Sequence, residues 1–367
     1  MAELALKRKQ YDLGTMVPFL LIHASVLLVL TVPFSWTMVA LLVGSYYLRM
    51  FGVTGGYHRY FSHRSYKLNR FWQFCFAFLA QTSAQKGALW WAAHHRHHHK
   101  DSDGVTDIHS PVRRGFWWSH IGWVLSRRYE KTNYDAIKDF SRFPELVWLN
   151  EHYLVPPLSA LALAVIFGGL PGLVWGAVIP TVLLWHGTFT VNSLAHVFGR
   201  RRYATEDTSR NSALIALWTM GEGWHNNHHY YQASARQGFF WWEIDPSYYV
   251  LKLGSYVGIV RDLKVPPKQV LVSNRISDGT FDIGMFKAHW NKASRFVHAA
   301  SASVHERVAH GREHAGEALA HRREVLEHGL AAKKEALEEF VVDALESAED
   351  LAKATRRGQR ELGLADG

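Results

Sequence analysis

Histidine is the residue type with the most chemistry to offer in this chain, which has 23 of them, and spacing separates candidate ligands from decoration. The string HHRHHH holds His95, His98 and His99 in an HxxHH pattern, and HNNHH repeats that pattern with His225, His228 and His229. On a helix, positions i, i+3 and i+4 share one face, so each triplet can aim three imidazoles into one volume. The adjacent pair, about 100° apart, can serve two neighbouring ions. HRYFSH adds His58 and His63, whose spacing of five does not share an α-helical face and predicts a helix that ends or bends between them. NSLAH adds Asn192 and His196. Two triplets from distant parts of the chain make a dinuclear metal site the expectation. Imidazole suits zinc, copper, iron and nickel alike, so ligand type leaves the ion open. The single cysteine, Cys75, excludes an intrachain disulfide, a thiolate zinc site and an iron–sulfur cluster.

Elements must bring these strings together, and the hydropathy pattern says which. From Met16 to Phe34 there is no charged residue, enough to cross a hydrocarbon core of roughly 30 Å. No small-residue cleavage site follows, and a second apolar run starts at Trp36, which argues against a signal peptide. The 48 residues between Glu151 and Arg200 contain no Asp, Glu, Lys or Arg, and GGLPG at Gly168–Gly172 divides them. The expectation is an all-α integral membrane protein with four transmembrane helices in two hairpins, near residues 16–34, 36–53, 153–169 and 172–192. A cytosolic helical cap would hold the histidine-rich site. Lys7, Arg8 and Lys9 precede the first span and Arg59, Arg64, Lys67 and Arg70 follow the second, while the outer turns carry none, so both termini and the site are expected in the cytosol. The formal charge of +9 follows from that layout and does not require nucleic acid. Phe71–Ala84 is apolar but only 14 residues long, which favours a re-entrant or membrane-lying helix. Were it to cross, the histidines before and after it would be separated by the bilayer.

The domain organisation reads as a cytosolic N-terminus (1–15), a membrane domain with its cap (16–280), and a charged helical extension (281–367) whose leucines recur at helical spacing. Trp-rich strings around Trp91 and Trp123 could line an apolar tunnel, with interfacial aromatic belts as the alternative. His23, His152 and His186 fall in or beside spans and outside the motifs. They read as packed or interfacial residues, although an ionisable group inside a membrane is a functional candidate by default. His109 and His120 lie near the expected site.

The order and content of these strings, with GVTGGYHRYFSH, GFWWSHIGW, NSLAHVFG and GEGWHNNHH, resemble the membrane-bound fatty acyl desaturases, specifically the stearoyl-CoA (delta-9) type, over roughly residues 10 to 265. The resemblance implies two iron ions held by nine histidines, with Asn192 acting through water. One ion would take His58, His63, His99, His225 and His229, and the other His95, His98, His196 and His228. It implies an oxidoreductase that uses O₂, two electrons and two protons to place a cis double bond, at the delta-9 position, in a saturated acyl thioester. Electrons would come from a separate cytochrome b5-like protein, or a ferredoxin with its reductase, since no haem-binding HPGG string or ferredoxin-type cysteines occur. Asp107, Glu222, Asn227 and Trp224 are the polar neighbours available to orient the rings. Arg96, Arg127 and Arg128 are placed to meet carrier phosphates, with positive-inside flanking as the alternative. His94 stands where the animal enzymes carry an Asp that contacts coenzyme A, so acyl carrier protein or a lipid ester stays open as the carrier. The competing readings are a hydroxylase or acetylenase on the same scaffold and a non-catalytic membrane metal-binding protein.

Overall fold

A computed structural model describes residues 11–276 of the chain. The helical extension expected over 281–367 and the first ten residues lie outside the described residues. Within them the secondary structure is helical, with isolated bridges and no strand. Three helices are long and apolar enough to cross a membrane: Leu13–Thr31, Trp36–Ser62 and Val155–Val197.

Helix α1 (Leu13–Ser25) runs on into a 3₁₀ stretch to Thr31 and buries none of its residues. Leu20, Leu21, Leu27 and Leu30 are all exposed and no charge interrupts them, the surface a lipid-facing helix presents. It begins before and stops short of the expected 16–34. Helix α2 (Trp36–Phe51) starts at Ser35, whose hydroxyl caps the Met38 N–H at 3.2 Å.

Beyond Phe51 the helix changes form and ends at Ser62, between His58 and His63 as expected. It widens into a π-helix over Gly52–Ser62, and the His63 N–H reaches the His58 carbonyl at 3.1 Å, an i to i+5 bond. That widening brings residues five apart onto neighbouring faces, and the two rings sit with centroids 4.8 Å apart. Gly52 is required for packing here, since a Cβ would fall 2.9 Å from the Ala80 backbone.

Ala80 belongs to α3 (Arg70–Gln81), capped by Asn69 on the Trp72 N–H and far too short to span: twelve residues rise about 18 Å. Helix α4 (Ala88–Lys100) carries the first HxxHH string. Its first N–H groups are capped from outside: Gln81 Oε1 takes the Ala88 N–H at 2.9 Å and Asn150 Oδ1 the Trp90 N–H at 2.8 Å. Asn150 comes from α5 (Pro144–Glu151) and approaches so closely that a Cβ on Gly87 would lie 2.1 Å from its Oδ1.

The third apolar helix is bent. Helix α6 (Val155–Pro171) is interrupted at Gly169 (φ 57°, ψ −146°), a conformation open essentially to glycine, and leads through a π stretch into α7 (Ile179–Asn192). A short α8 (Leu194–Val197) follows, and α9 (His225–Tyr230) carries the second HxxHH string. Buried Tyr57, Phe61, Leu89, Leu149 and Leu184 belong to the core that packs α2, α4, α5 and α7 together.

Candidate metal centre

Nine imidazoles converge in two groups. His58, His63, His95, His99 and His228 form one, and His98, His196, His225 and His229 the other, with ligating atoms in each group within 4.8 Å of one another. In the first, Nε2 atoms face one another: His58 to His228 at 3.1 Å, His228 to His99 at 2.9 Å, His99 to His95 at 3.0 Å and His95 to His63 at 2.9 Å. In the second, His225 Nε2 lies 3.1 Å from His196 Nε2.

The nine are those the sequence singled out, but the grouping differs from the expected partition. His95 and His228 fall in the first group, and His225 and His229 in the second. The reason is helical. Residues i and i+4 are offset by about 40° and stay together, whereas i+3 lies about 100° from i+4 and serves the other group. Thus His95 and His99 share a group and His98 departs; His225 and His229 share the other and His228 departs.

Carboxylates hold the outer ring nitrogens. His98 Nδ1 sits 3.0 Å from both oxygens of Asp107, His196 Nδ1 3.1 Å from Asp103, His229 Nδ1 2.6 Å from Asp207, and His58 Nδ1 2.5 Å from Glu222. Glu222 is itself fixed by buried Arg59, which also grips Asp245 and the Ala235 carbonyl. Asp107 and Glu222 are ring partners as expected. Asn227 and Trp224 are not: Asn227 bonds Asn211, Gln237 and Glu243, and Trp224 donates to the Ile244 carbonyl, so they anchor α9 and its approach.

The sequence reading missed Asp103 and Asp207. In Asp207-Thr-Ser209 one carboxylate oxygen accepts from the Ser209 N–H and hydroxyl, a self-capping turn that leaves the other oxygen for a ring. Asp103 joins His196 to Thr208 through one carboxylate oxygen, Oδ2, which meets both.

These contacts test whether a cation fits. A ring that donates its Nδ1–H to a carboxylate is left with a bare lone pair at Nε2. His98, His196 and His229 therefore turn lone pairs inward, and His229 Nε2 is buried with no hydrogen-bond partner among the described residues. Burial first, then neighbouring imidazoles, push His63, His95, His99, His225 and His228 well below the ordinary range, and His229 falls to about 4. They are neutral ligands at pH 7. Burial would raise Asp103, Asp107 and Asp207, but their bonded imidazoles outweigh it and hold them low, as carboxylates. Two nitrogens each about 2.1 Å from one ion and at right angles would stand about 3.0 Å apart, matching the Nε2 separations. The residues fit a pair of nitrogen-ligated metal ions.

An apolar cavity of about 340 Å³ abuts the first group. Trp91, Trp123, Phe19 and Trp185 line it, as do His95 and Asn192. Trp91 stacks on His95 with centroids 4.8 Å apart. His94 lines the same cavity and faces the Trp90 carbonyl through Nδ1, while His97 lies outside against the Thr106 carbonyl, so neither joins a group. His109 packs on His98 at 4.3 Å and forms a third cluster with Asp107.

Arg96 is not placed as expected. Its five N–H groups meet the carbonyls of Phe61, Ser62 and Ala136 and both oxygens of Asp139, which leaves none for a phosphate. Arg127 pairs with Asp12 at 2.7 Å, and it and Arg128 are exposed.

Comparison with known proteins agrees in kind. The fatty acid desaturase family profile matches residues 34–246. The chain is 39% identical over 237 residues to an acyl-CoA 5-desaturase of Anemone leveillei, covering 64% of this chain and 74% of that one. It is 35% identical over 241 residues to an sn-2 palmitoyl-lipid 9-desaturase of Nostoc sp. (strain 36), covering 64% and 85%. Against the delta-9 acyl-lipid desaturase 1 of Arabidopsis thaliana it is 36% identical over 268 residues, covering 71% and 86%.

Proposed function

The chain belongs to the fatty acid desaturase family, and from that premise we propose that it places a cis double bond, at the delta-9 position, in a saturated acyl chain lying in the apolar cavity. The observation that carries this reading is a shared wall: His95 belongs to the first imidazole group and also lines the cavity, as does Asn192. A chain in the cavity thus runs beside the metal-binding groups with water excluded by tryptophan.

The two groups would hold two iron ions, the first through His58, His63, His95, His99 and His228 and the second through His98, His196, His225 and His229, with Asn192 holding a water. When bound, the iron pair supplies the activation of O₂ that removes two hydrogens from the acyl chain. The protein's share is to orient four of the nine rings, His98, His196, His229 and His58, through Asp107, Asp103, Asp207 and Glu222, and to enclose the site so that it stays dry. Two electrons arrive from a separate donor protein of the cytochrome b5 or ferredoxin kind, docking on the cytosolic face.

The bend at Gly169 supports four passes. A 43-residue helix would rise about 64 Å if straight, twice the hydrocarbon thickness, so two passes of a hairpin account for it. With α1 and α2 this gives four, with the cap and both termini in the cytosol. The relatives act on acyl-CoA in one case and acyl-lipid in others by name, and both carriers fit this reading. Arg127 and Arg128 are the cations left to meet a carrier, because Arg96 is committed within the fold.

Lipid profiling of cells that lack the activity, expressing the chain with and without His98→Ala, tests the proposal. The parent should yield a monounsaturated acyl chain and the variant none. A hydroxylated, otherwise saturated product would contradict it.

A further inference from the structure

Three histidines outside both groups form a hydrogen-bonded chain across three elements. His23 of α1 meets the Phe19 carbonyl through Nδ1 at 2.7 Å and His186 of α7 through Nε2 at 3.1 Å. His186 Nδ1 lies 3.0 Å from His120 Nε2, in the π turn Trp118–Gly122, and His120 Nδ1 lies 2.9 Å from Ser193 Oγ. Both ends of the chain rest on backbone carbonyls, Phe19 at one and Phe189 at the other. A carbonyl oxygen only accepts, so His23 donates from Nδ1 to Phe19. The Ser193 hydroxyl donates to the Phe189 carbonyl at 2.8 Å, so its oxygen is left to accept from His120 Nδ1. Every ring nitrogen is used, which suits rings within or beside membrane-spanning helices.

The two ends of the chain touch different parts of the site. Ser193 sits at the break between α7 and α8, next to Asn192 and three residues from His196. The neighbour of His120, Ser119, donates to the Asn192 carbonyl at 2.8 Å, a second fastening of the same break. At the far end, Phe19 and Ile22 flank His23, while Trp185, Thr188 and Phe189 surround His186, and all five line the apolar cavity. Phe19 stacks on Trp185 at 5.4 Å, so α1 and α7 meet through that wall as well as through the two histidines.

We propose that the chain from the Phe19 carbonyl through His23, His186 and His120 to Ser193 is a positioning device that registers the cavity wall against Asn192 and His196, and so sets which acyl carbon is presented for reaction. This rests on the desaturase reading and on the cavity being the acyl site. A slip of α1 by one carbon–carbon bond, about 1.5 Å, would bring the next carbon beside the same rings. Misplacement on that scale also lowers turnover, by up to about 100-fold.

The test uses the full chain carrying His23→Leu or His23→Gln, with metal content, kcat, KM and double-bond position measured together. The parent should give one dominant positional isomer. His23→Leu should keep its metal, give a shifted or mixed double bond, and lose roughly 10- to 100-fold in kcat with little change in KM. His23→Gln, whose amide can still donate and accept, should recover part of the parent isomer. The parent isomer alone at the parent kcat in His23→Leu would overturn the proposal. Loss of metal and product together in both variants would overturn it too, by making the chain a general support of the fold. A parent that yields no unsaturated product contradicts the functional reading itself, and this inference falls with it.

Discussion

His63 Nε2 lies 2.9 Å from His95 Nε2, although the two are separated in sequence by the whole of the apolar helix α3. The chain therefore comes back to its starting point around α3, which at twelve residues is too short to cross a bilayer. That contact joins the strings on both sides of Phe71–Ala84 into one site.

The carboxylates behind the rings should govern metal affinity. Asp207→Asn removes the charge that orients His229, and Glu222→Gln does so for His58. Each variant should bind iron about 10- to 100-fold more weakly while remaining folded, as measured by competition with a chelator. Affinity equal to the parent in both would show that the rings are oriented by packing alone.

Arg96 should matter for stability and not for the carrier. Arg96→Ala leaves Asp139 and three carbonyls short of their donors, which costs about 2 kcal/mol on the scale of hydrogen bonds to charged groups. The thermal midpoint should fall while KM for the acyl substrate stays put. A raised KM with an unchanged midpoint would restore the carrier role.

Acid should destabilise the metal-free protein. His229 is held down to about 4 from the ordinary 6.5, and His95, His99, His225 and His228 lie well below 6.5 by burial first and neighbouring imidazoles second. Between pH 6.5 and about 4 the unfolded chain binds protons that these folded rings refuse, so stability present above 6.5 is lost as pH falls. His98 runs the other way, since Asp107 outweighs burial and raises it, but it is one ring against six, His63 being held low in the same way. Thermal unfolding of apo-protein across pH 8 to 4.5 checks the sign. A midpoint that rises on acidification would contradict it.

Gly87→Ala should loosen the helix that presents His95, His98 and His99. Its Cβ would fall 2.1 Å from Asn150 Oδ1, and displacing Asn150 uncaps the Trp90 N–H. Such overpacking costs about 1–3 kcal/mol, so a lower thermal midpoint and reduced iron occupancy are expected together.

Much of the centre was legible because metal ligands on helices obey a short list of spacings. HxxHH, repeated, named six of the nine rings, and their division was legible too, had the 40° offset of i and i+4 been weighed against the 100° between neighbours. The π widening of Gly52–Ser62 was not legible. It packs closely on Ala80, a tertiary contact, and it brings together His58 and His63, which α-helical geometry sets apart. Arg96 misled because a basic residue beside a ligand string looks available, and only the positions of Asp139 and three carbonyls show that it is used.

The central claim is that two iron ions held by nine histidines produce an unsaturated acyl chain, and one experiment reads both halves. Iron per chain and acyl products are measured on purified parent and His228→Ala protein, supplied with O₂, reductant and donor protein. The parent should hold two irons and form a monounsaturated chain, and the variant should lose iron and product together. Unchanged iron and product in His228→Ala would contradict the account.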